Sequence, residues 1–186
     1  DLVTAHGKTM QYWGDIIIKH PELIPELPKD AIALEWGYEA GHPFDADGEK
    51  FARAGVPFYV CPGTSSWCSI TGRTKNALAN LRNAAVAGPQ HGALGVLNTD
   101  WGDNGHLQPL CASYIGFMAG AAMSWKAEDA QAPLELPVAE WLDSYVFNDT
   151  DQRLGAITRD LGNAYRELGC RPHNSSALFY FIAGRP

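Results

Sequence analysis

Four times along this chain a short, β-compatible apolar run leads into a polar turn carrying a tryptophan, and a helix-like pattern follows. The runs fall at residues 9–18, 31–34, 56–61 and 93–97, and their turns hold Trp13, Trp36, Trp67 and Trp101. After them come one or two helical turns at 21–27, then helices at 45–54, closed by Gly55, at 74–87 and at 114–125. In the third of these segments Ala77, Leu78, Leu81, Ala84 and Ala85 share one helical face. In the last, Gly116, Gly120, Ala121 and Ala122 allow close packing. Strands joined through helices run parallel with right-handed crossovers, so all four turns are expected along one edge of one sheet. That edge is where α/β proteins bind ligands. The densest turn follows the run 93–97, itself expected to be buried on both faces. It carries Asp100, Trp101, Asp103 and His106, with Gly102 and Gly105 allowing sharp bends.

Unit count then limits the architecture. A doubly wound sheet can be built from four units, but neither GxGxxG nor GxxxxGK occurs here. A closed (β/α)8 barrel takes eight strands and about 250 residues, so four units in roughly half that length make half a barrel. Such a half leaves two strand edges that need covering. The flanks read differently. Residues 1–8 look like the end of a helix closed by Gly7, and a chain opening on Asp1 rather than Met reads as processed or cut. Residues 133–137 read as a linker, followed by helices at 138–147, 151–168 and 175–182. The second of these is amphipathic, with Leu154, Ile157, Leu161, Ala164 and Tyr165 expected toward a core. This tail is read as a structural cap, giving domains 1–127 and 128–186.

The formal charge of -7, with lysines and arginines scattered, argues against a nucleic-acid partner. The longest apolar stretch, 114–125, is too short to cross a bilayer. Cys61, Cys68, Cys111 and Cys170 show no CxxC spacing, so neither a disulfide framework nor a zinc site is expected, and free thiols point to a cytoplasmic protein. No cofactor or metal is expected.

Four segments resemble one family when taken in order: Met10-Gln-Tyr-Trp-Gly-Asp-Ile-Ile17, Leu34-Glu-Trp-Gly-Tyr-Glu39, Val60-Cys-Pro-Gly-Thr-Ser-Ser-Trp67 and Leu97-Asn-Thr-Asp-Trp-Gly-Asp-Asn-Gly-His106. Together they resemble the second half of the catalytic barrel of family 20 glycoside hydrolases, the β-N-acetylhexosaminidases. The tail resembles the helical extension of bacterial members. The resemblance implies an α/β fold, the second half of a (β/α)8 TIM barrel with four parallel β/α units and a small helical extension. It also implies retaining hydrolysis of terminal N-acetylhexosamine, in which the substrate's own acetamido oxygen attacks the anomeric carbon. An Asp-Glu pair at the end of the fourth barrel strand supplies the acid in that family, and it would lie upstream of this chain. No catalytic residue is therefore assigned here. The expected partners are N-acetylhexosamine-containing glycans and the remaining half of the barrel.

The same resemblance places Trp13 in the pocket wall, Trp101 under the sugar and Asp103 on its outer hydroxyls. Physically this is sound, since a pyranose packs its C–H face on an aromatic ring and offers its hydroxyls to carboxylates. Where the family presents a Tyr and an Asp to the acetamide, this chain has Thr64, Ser65, Ser66 and Trp67. The candidate substrate-binding residues are Trp13, Asp15, Trp36, Tyr38, Glu39, Trp67, Trp101, Asp103 and His106. Several keep two readings. Trp13 and Trp36 line a pocket or fill the barrel layer, and Tyr38 donates its hydroxyl or merely packs. Asp15, Glu35 and Glu39 compete as pocket acids, with Glu35 pointing outward if Trp36 points inward. His106 meets substrate or holds a loop. Arg73 pairs with Asp103 or Glu39, or caps the solvent face. Trp125 and Trp141 are read as packing. Two other functions remain open: a glycan-binding module without turnover, and a complete enzyme using Asp15 or Glu39 with Asp103.

Overall fold

The computed structural model describes residues 2–126 and 136–184. Its first element, α1 (Leu2–Ala5), is a single turn followed by Gly7 at φ +65°, the left-handed geometry expected of a helix stop. Then come β1 (Gln11–Trp13), β2 (Ile32–Trp36), α2 (Phe44–Arg53), β3 (Phe58–Cys61), α3 (Thr74–Gln90) and α4 (Cys111–Trp125). The tail contributes α5 (Val138–Leu142), α6 (Leu154–Leu161) and α7 (Ala177–Ile182). The fold is thus mixed α/β around a parallel three-stranded sheet in the order β1-β2-β3, with Tyr12 opposite Ala33 and Leu34 opposite Tyr59.

Side-chain alternation divides the sheet. Ala33, Phe58 and Val60 point to the face covered by α2 and α3, where they join Phe44, Phe51, Val56, Ala84 and Ala87 in one buried cluster. A second cluster lies between α3, α4 and α5, built from Leu81, Ala85, Ile115, Ala119, Met123, Val138 and Leu142. The apolar face read from α3 accounts for both, since Ala84 serves the first and Leu81 and Ala85 the second. A third cluster, of Tyr38, Trp67, Cys68 and Phe179, ties α7 to the turns beyond the strands. Among the described residues no helix is long and apolar enough to cross a membrane.

Four expectations need correction. The run 16–18 is not strand. β1 ends at Trp13, the Gly14 N–H closes the ladder on Leu34 O at 2.8 Å, and a 3₁₀ turn at Ile17–Lys19 lays Ile17 and Ile18 against the first cluster. The run 93–97 is not buried on both faces and is not a full strand. It meets β3 through one parallel bridge, Val60 with Val96, and a second bridge, Gly63 with Thr99, lies just beyond both, while Leu94 and Leu97 are 55% and 39% exposed. One flank of this segment has a neighbour and the other has none among the described residues.

The apolar stripe of α6 faces outward. Gly155 and Gly162 are its contact points, because a Cβ there would lie 2.0 Å from Ala139 O and from Thr74 Oγ1 respectively. Leu154, Ile157 and Leu161 are consequently 45–51% exposed. Helicity also stops early, at Leu161, with a 3₁₀ turn at Ala164–Arg166 beyond it. Trp125 is not packed, being 91% exposed, whereas Trp141 is partly buried on the second cluster. Of the expected linker, residues 133–135 lie outside the described residues.

Phe51 is fully buried and stacked on Phe58, with ring centroids 5.8 Å apart. Phe51→Ala is expected to cost about 3–5 kcal/mol of unfolding free energy. Urea denaturation of the two proteins measures this, and a change under about 1 kcal/mol would contradict the packing described.

Candidate functional site

The turns after β2, β3 and the segment 93–97 converge at the carboxyl edge of the sheet. Their backbone groups have left the ladder and need other partners. Three asparagines on one face of α3 supply them. Asn80, fully buried, donates from Nδ2 to Gly37 O and Glu39 O, both at 2.9 Å, and accepts the Gly63 N–H at 3.0 Å. Asn76 accepts the Ala40 N–H at 2.9 Å and donates to Tyr38 O at 2.6 Å and Ser65 Oγ at 2.9 Å. Asn83 donates to His42 O at 2.6 Å. Two turns on different strands are thereby held to a single helix.

The turn after β3 takes unusual backbone conformations, with Ser65, Cys68 and the β-branched Ile70 at φ +56°, +52° and +72°. The tail holds it in place. Ser175 Oγ donates to Cys68 O at 2.7 Å, Ser176 Oγ to Ser69 O at 2.9 Å, and the Ser176 N–H to Cys68 O at 2.9 Å. Asp100 is fixed in the same way, accepting from Ser66 Oγ at 2.8 Å, from Ser113 Oγ at 3.0 and 3.1 Å, and from Thr64 Oγ1. Thr64, Ser65 and Ser66 are all buried, so they act on the protein's own groups.

Aromatic rings stack on this frame. Tyr38 lies at their centre, stacked on Trp36 at 5.0 Å with the rings inclined by 25°, and edge-on to Trp67 at 4.9 Å. Its hydroxyl accepts the Trp101 indole N–H at 2.7 Å. Trp101 in turn meets Trp13 at 5.5 Å, so the indole that ends β1 touches the one that follows the segment 93–97. Trp36 donates its indole N–H to Asp15 Oδ1 at 3.2 Å. Burial pushes the Tyr38 hydroxyl up to about 12.

Trp13, Asp15, Trp36, Tyr38, Trp101, Asp103 and Asn174 line one cleft of about 290 Å³. Six of the nine residues read from the sequence are therefore brought together, two carboxylates beside a wall of rings. The other three lie elsewhere. Trp67 is 1% exposed and sits beneath the cleft, donating its indole N–H to Asn174 Oδ1 at 3.1 Å. Glu39 is turned toward Arg73 Nη1, at 2.9 and 3.2 Å, and accepts the Asn174 N–H at 2.7 Å. His106 is exposed in a left-handed conformation, its ring beside Gly102. Arg73 thus pairs with Glu39, the second of the partners weighed for it.

A neighbouring cleft of about 350 Å³ shares Asp15, Trp36, Tyr38 and Asn174 with the first and adds Glu35, Glu39, His42 and Asp47. Glu35 points away from Trp36 as alternation requires, and its carboxylate meets His42 Nε2 at 2.7 Å. Burial raises its pKa, and the His42 contact opposes the rise. Two contributors were not legible as site residues. Asn174 lies in the tail, far from any turn motif, and enters the cleft through a left-handed backbone, φ +52°. The spacing Asn76, Asn80, Asn83 did put three amides on one helical face, a signal that apolar periodicity passes over.

No protein-family model, curated protein or solved structure matches this chain.

Asn80→Ala strands two buried backbone groups, Gly37 O and the Gly63 N–H, and a part-buried third, Glu39 O, and is expected to destabilise the fold by about 1–3 kcal/mol for each buried one left unpaired, measured by urea denaturation. The raised Tyr38 pKa means the folded state holds its proton more tightly than the unfolded chain, whose tyrosine titrates near about 10. This contribution is whole below about pH 10 and is lost as pH rises toward about 12. Urea midpoints followed across that interval should fall more steeply for the native chain than for Tyr38→Phe.

Proposed function

We propose that this chain is the substrate-binding half of a (β/α)8 glycoside hydrolase that releases terminal N-acetylhexosamine by substrate-assisted, retaining hydrolysis. The Asp-Glu catalytic pair belongs to the preceding half of the barrel. One observation carries the reading: Trp13, Trp36, Tyr38 and Trp101 form an aromatic wall around a cleft that also presents Asp15 and Asp103. Its volume of about 290 Å³ suits a single sugar ring in size. The contact between Trp13 and Trp101 supports a curved arrangement, because the two residues come from the first strand and from the segment beyond the third.

In this reading Trp101 packs under the apolar face of the pyranose, and Asp103 accepts hydrogen bonds from its outer hydroxyls. Trp13 and Trp36 close the sides. Asp15 orients the Trp36 indole and keeps its other oxygen for the ligand. Tyr38 is a positioning residue, since its hydroxyl is engaged by Trp101 and its ring is buried. The acetamido oxygen attacks the anomeric carbon while the acid from the other half protonates the leaving oxygen. Alone, this chain binds sugar and turns over little or none, since the loss of a general acid costs about 100- to 10,000-fold in rate.

The open flank of the segment 93–97, with Leu94 and Leu97 exposed, favours the same reading, because a barrel's other half would cover it. A glycan-binding module without turnover is the second reading, favoured by the same ring-lined cleft.

Hydrolysis of 4-nitrophenyl N-acetyl-β-glucosaminide separates the two. Activity is expected only when the chain is combined with the preceding half barrel from its parent gene. Activity of the chain alone would assign the chemistry to its own carboxylates, and folded but silent mixtures would leave the binding module. Trp101→Ala is expected to weaken N-acetylglucosamine binding roughly tenfold, the equivalent of about 1.4 kcal/mol, with Asp103→Asn acting in the same direction. Titration calorimetry reads both, and unchanged binding in both variants would remove the cleft from the site.

A further inference from the structure

We propose that Glu35, His42 and Asp47 form a binding site for a divalent transition-metal cation of the Zn²⁺ or Mn²⁺ class, between the end of β2 and the first turn of α2. The site is independent of the sugar reading and stands on its own geometry. One imidazole nitrogen and one carboxylate oxygen from each acid all lie within 4.8 Å of one another. Some point then lies within about 2.8 Å of all three atoms, while zinc takes such ligands at about 2.0–2.2 Å. Side-chain movements of under about 1 Å per ligand, with the Glu35–His42 contact lengthening, therefore complete the site.

Glu35 supplies the second, independent observation. It is 3% exposed, its Oε1 contacts His42 Nε2 at 2.7 Å, and its Oε2 is shielded from solvent with no donor among the described residues. An unpartnered carboxylate oxygen is costly in such surroundings, and a cation relieves the cost. Asp47, 7% exposed, is held at Oδ1 by Lys50 Nζ at 2.7 Å. The Lys50 side chain is 39% exposed and free to swing into solvent, so its ammonium acts as a place-holder for a stronger cation.

The third ligand is built in. A Cβ at Gly37 would fall 2.0 Å from His42 Nδ1, so the turn keeps room for the imidazole that no other residue at position 37 would leave. The Asn83 amide fixes the His42 backbone, and Phe44 packs edge-on to the ring at 4.5 Å. Two carboxylates and a neutral imidazole balance a dication, and one nitrogen with two oxygens suits a borderline metal. All three residues line the cleft of about 350 Å³, which gives an entry path and leaves an outer coordination position facing it. Gaps of seven and five residues fit no ligand motif, so the sequence offered no sign of this site.

The test uses the untagged full chain, stripped with chelator and titrated with Zn²⁺, Mn²⁺, Mg²⁺ or Ca²⁺ by calorimetry, with Tm followed in parallel. One equivalent of Zn²⁺ or Mn²⁺ is expected to bind and to raise Tm, with Mg²⁺ and Ca²⁺ weaker. Glu35→Gln, His42→Gln and Asp47→Asn should each weaken binding roughly tenfold or more. Lys50→Ala separates a metal site from a purely structural ion network, because removing the competing ammonium should keep or tighten metal binding. Asp47→Asn, on α2 rather than on the central strand, serves if Glu35→Gln does not fold. Absence of saturable binding in both the native chain and Lys50→Ala overturns the proposal, as does binding undiminished in the ligand variants.

Discussion

A turn that leaves the end of a buried strand takes its peptide groups out of the ladder while still inside the protein, and those groups must be paired. Here three asparagine amides on α3 do the pairing, at Asn76, Asn80 and Asn83. Everything at the carboxyl edge depends on them. The turn after β2 carries Tyr38, Glu39 and His42, and that after β3 carries Trp67 and Arg73. Through Asn80 a backbone donor of one turn and two carbonyls of the other meet on a single side chain. Both turns inherit the rigidity of a helix that is itself packed in two hydrophobic clusters.

On that frame the rings order one another. Tyr38 has a stacked partner, an edge-on partner and an indole donor to its hydroxyl, so its position leaves little freedom to Trp36, Trp67 or Trp101. The division of labour follows from depth. Trp67, at the bottom, fills space, whereas Trp13, Trp36 and Trp101 keep surface facing the cleft. The tail adds the last wall. Its serines clamp the strained turn after β3, and the next residue upstream, Asn174, joins Trp67, Arg73 and Glu39 at the cleft margin.

Two features leave apolar surface uncovered among the described residues. Among the described residues the segment 93–97 pairs on one flank only, with leucines at the surface, and the apolar stripe of α6 points outward because glycines make its contacts. Uncovered apolar surface of this kind marks a place for a partner surface. At the sheet edge, the proposed missing half of the barrel would supply one.

The sequence by itself determined the order of strands and helices, the parallel sense of the sheet and the gathering of most tryptophan turns on one edge. These follow from local periodicity and from the handedness of crossovers, which short-range sterics impose. Trp13, Trp36, Trp101, Asp15 and Asp103 were legible for that reason: each sits at or just past the end of a strand or of the bridged segment 93–97. What the tertiary structure alone decided is which side chains at that edge stay open. Trp67 and Tyr38 look like Trp36 in the sequence but lie deeper, Glu39 is taken by Arg73, and α6 turns its apolar stripe outward because Gly155 and Gly162 permit closer approach on the other side. Asn174 and the cluster of Glu35, His42 and Asp47 were equally hidden, since no local period brings such residues together. Periodicity specifies the face a residue occupies, but depth and partnership depend on segments distant in the chain, and only packing sets those.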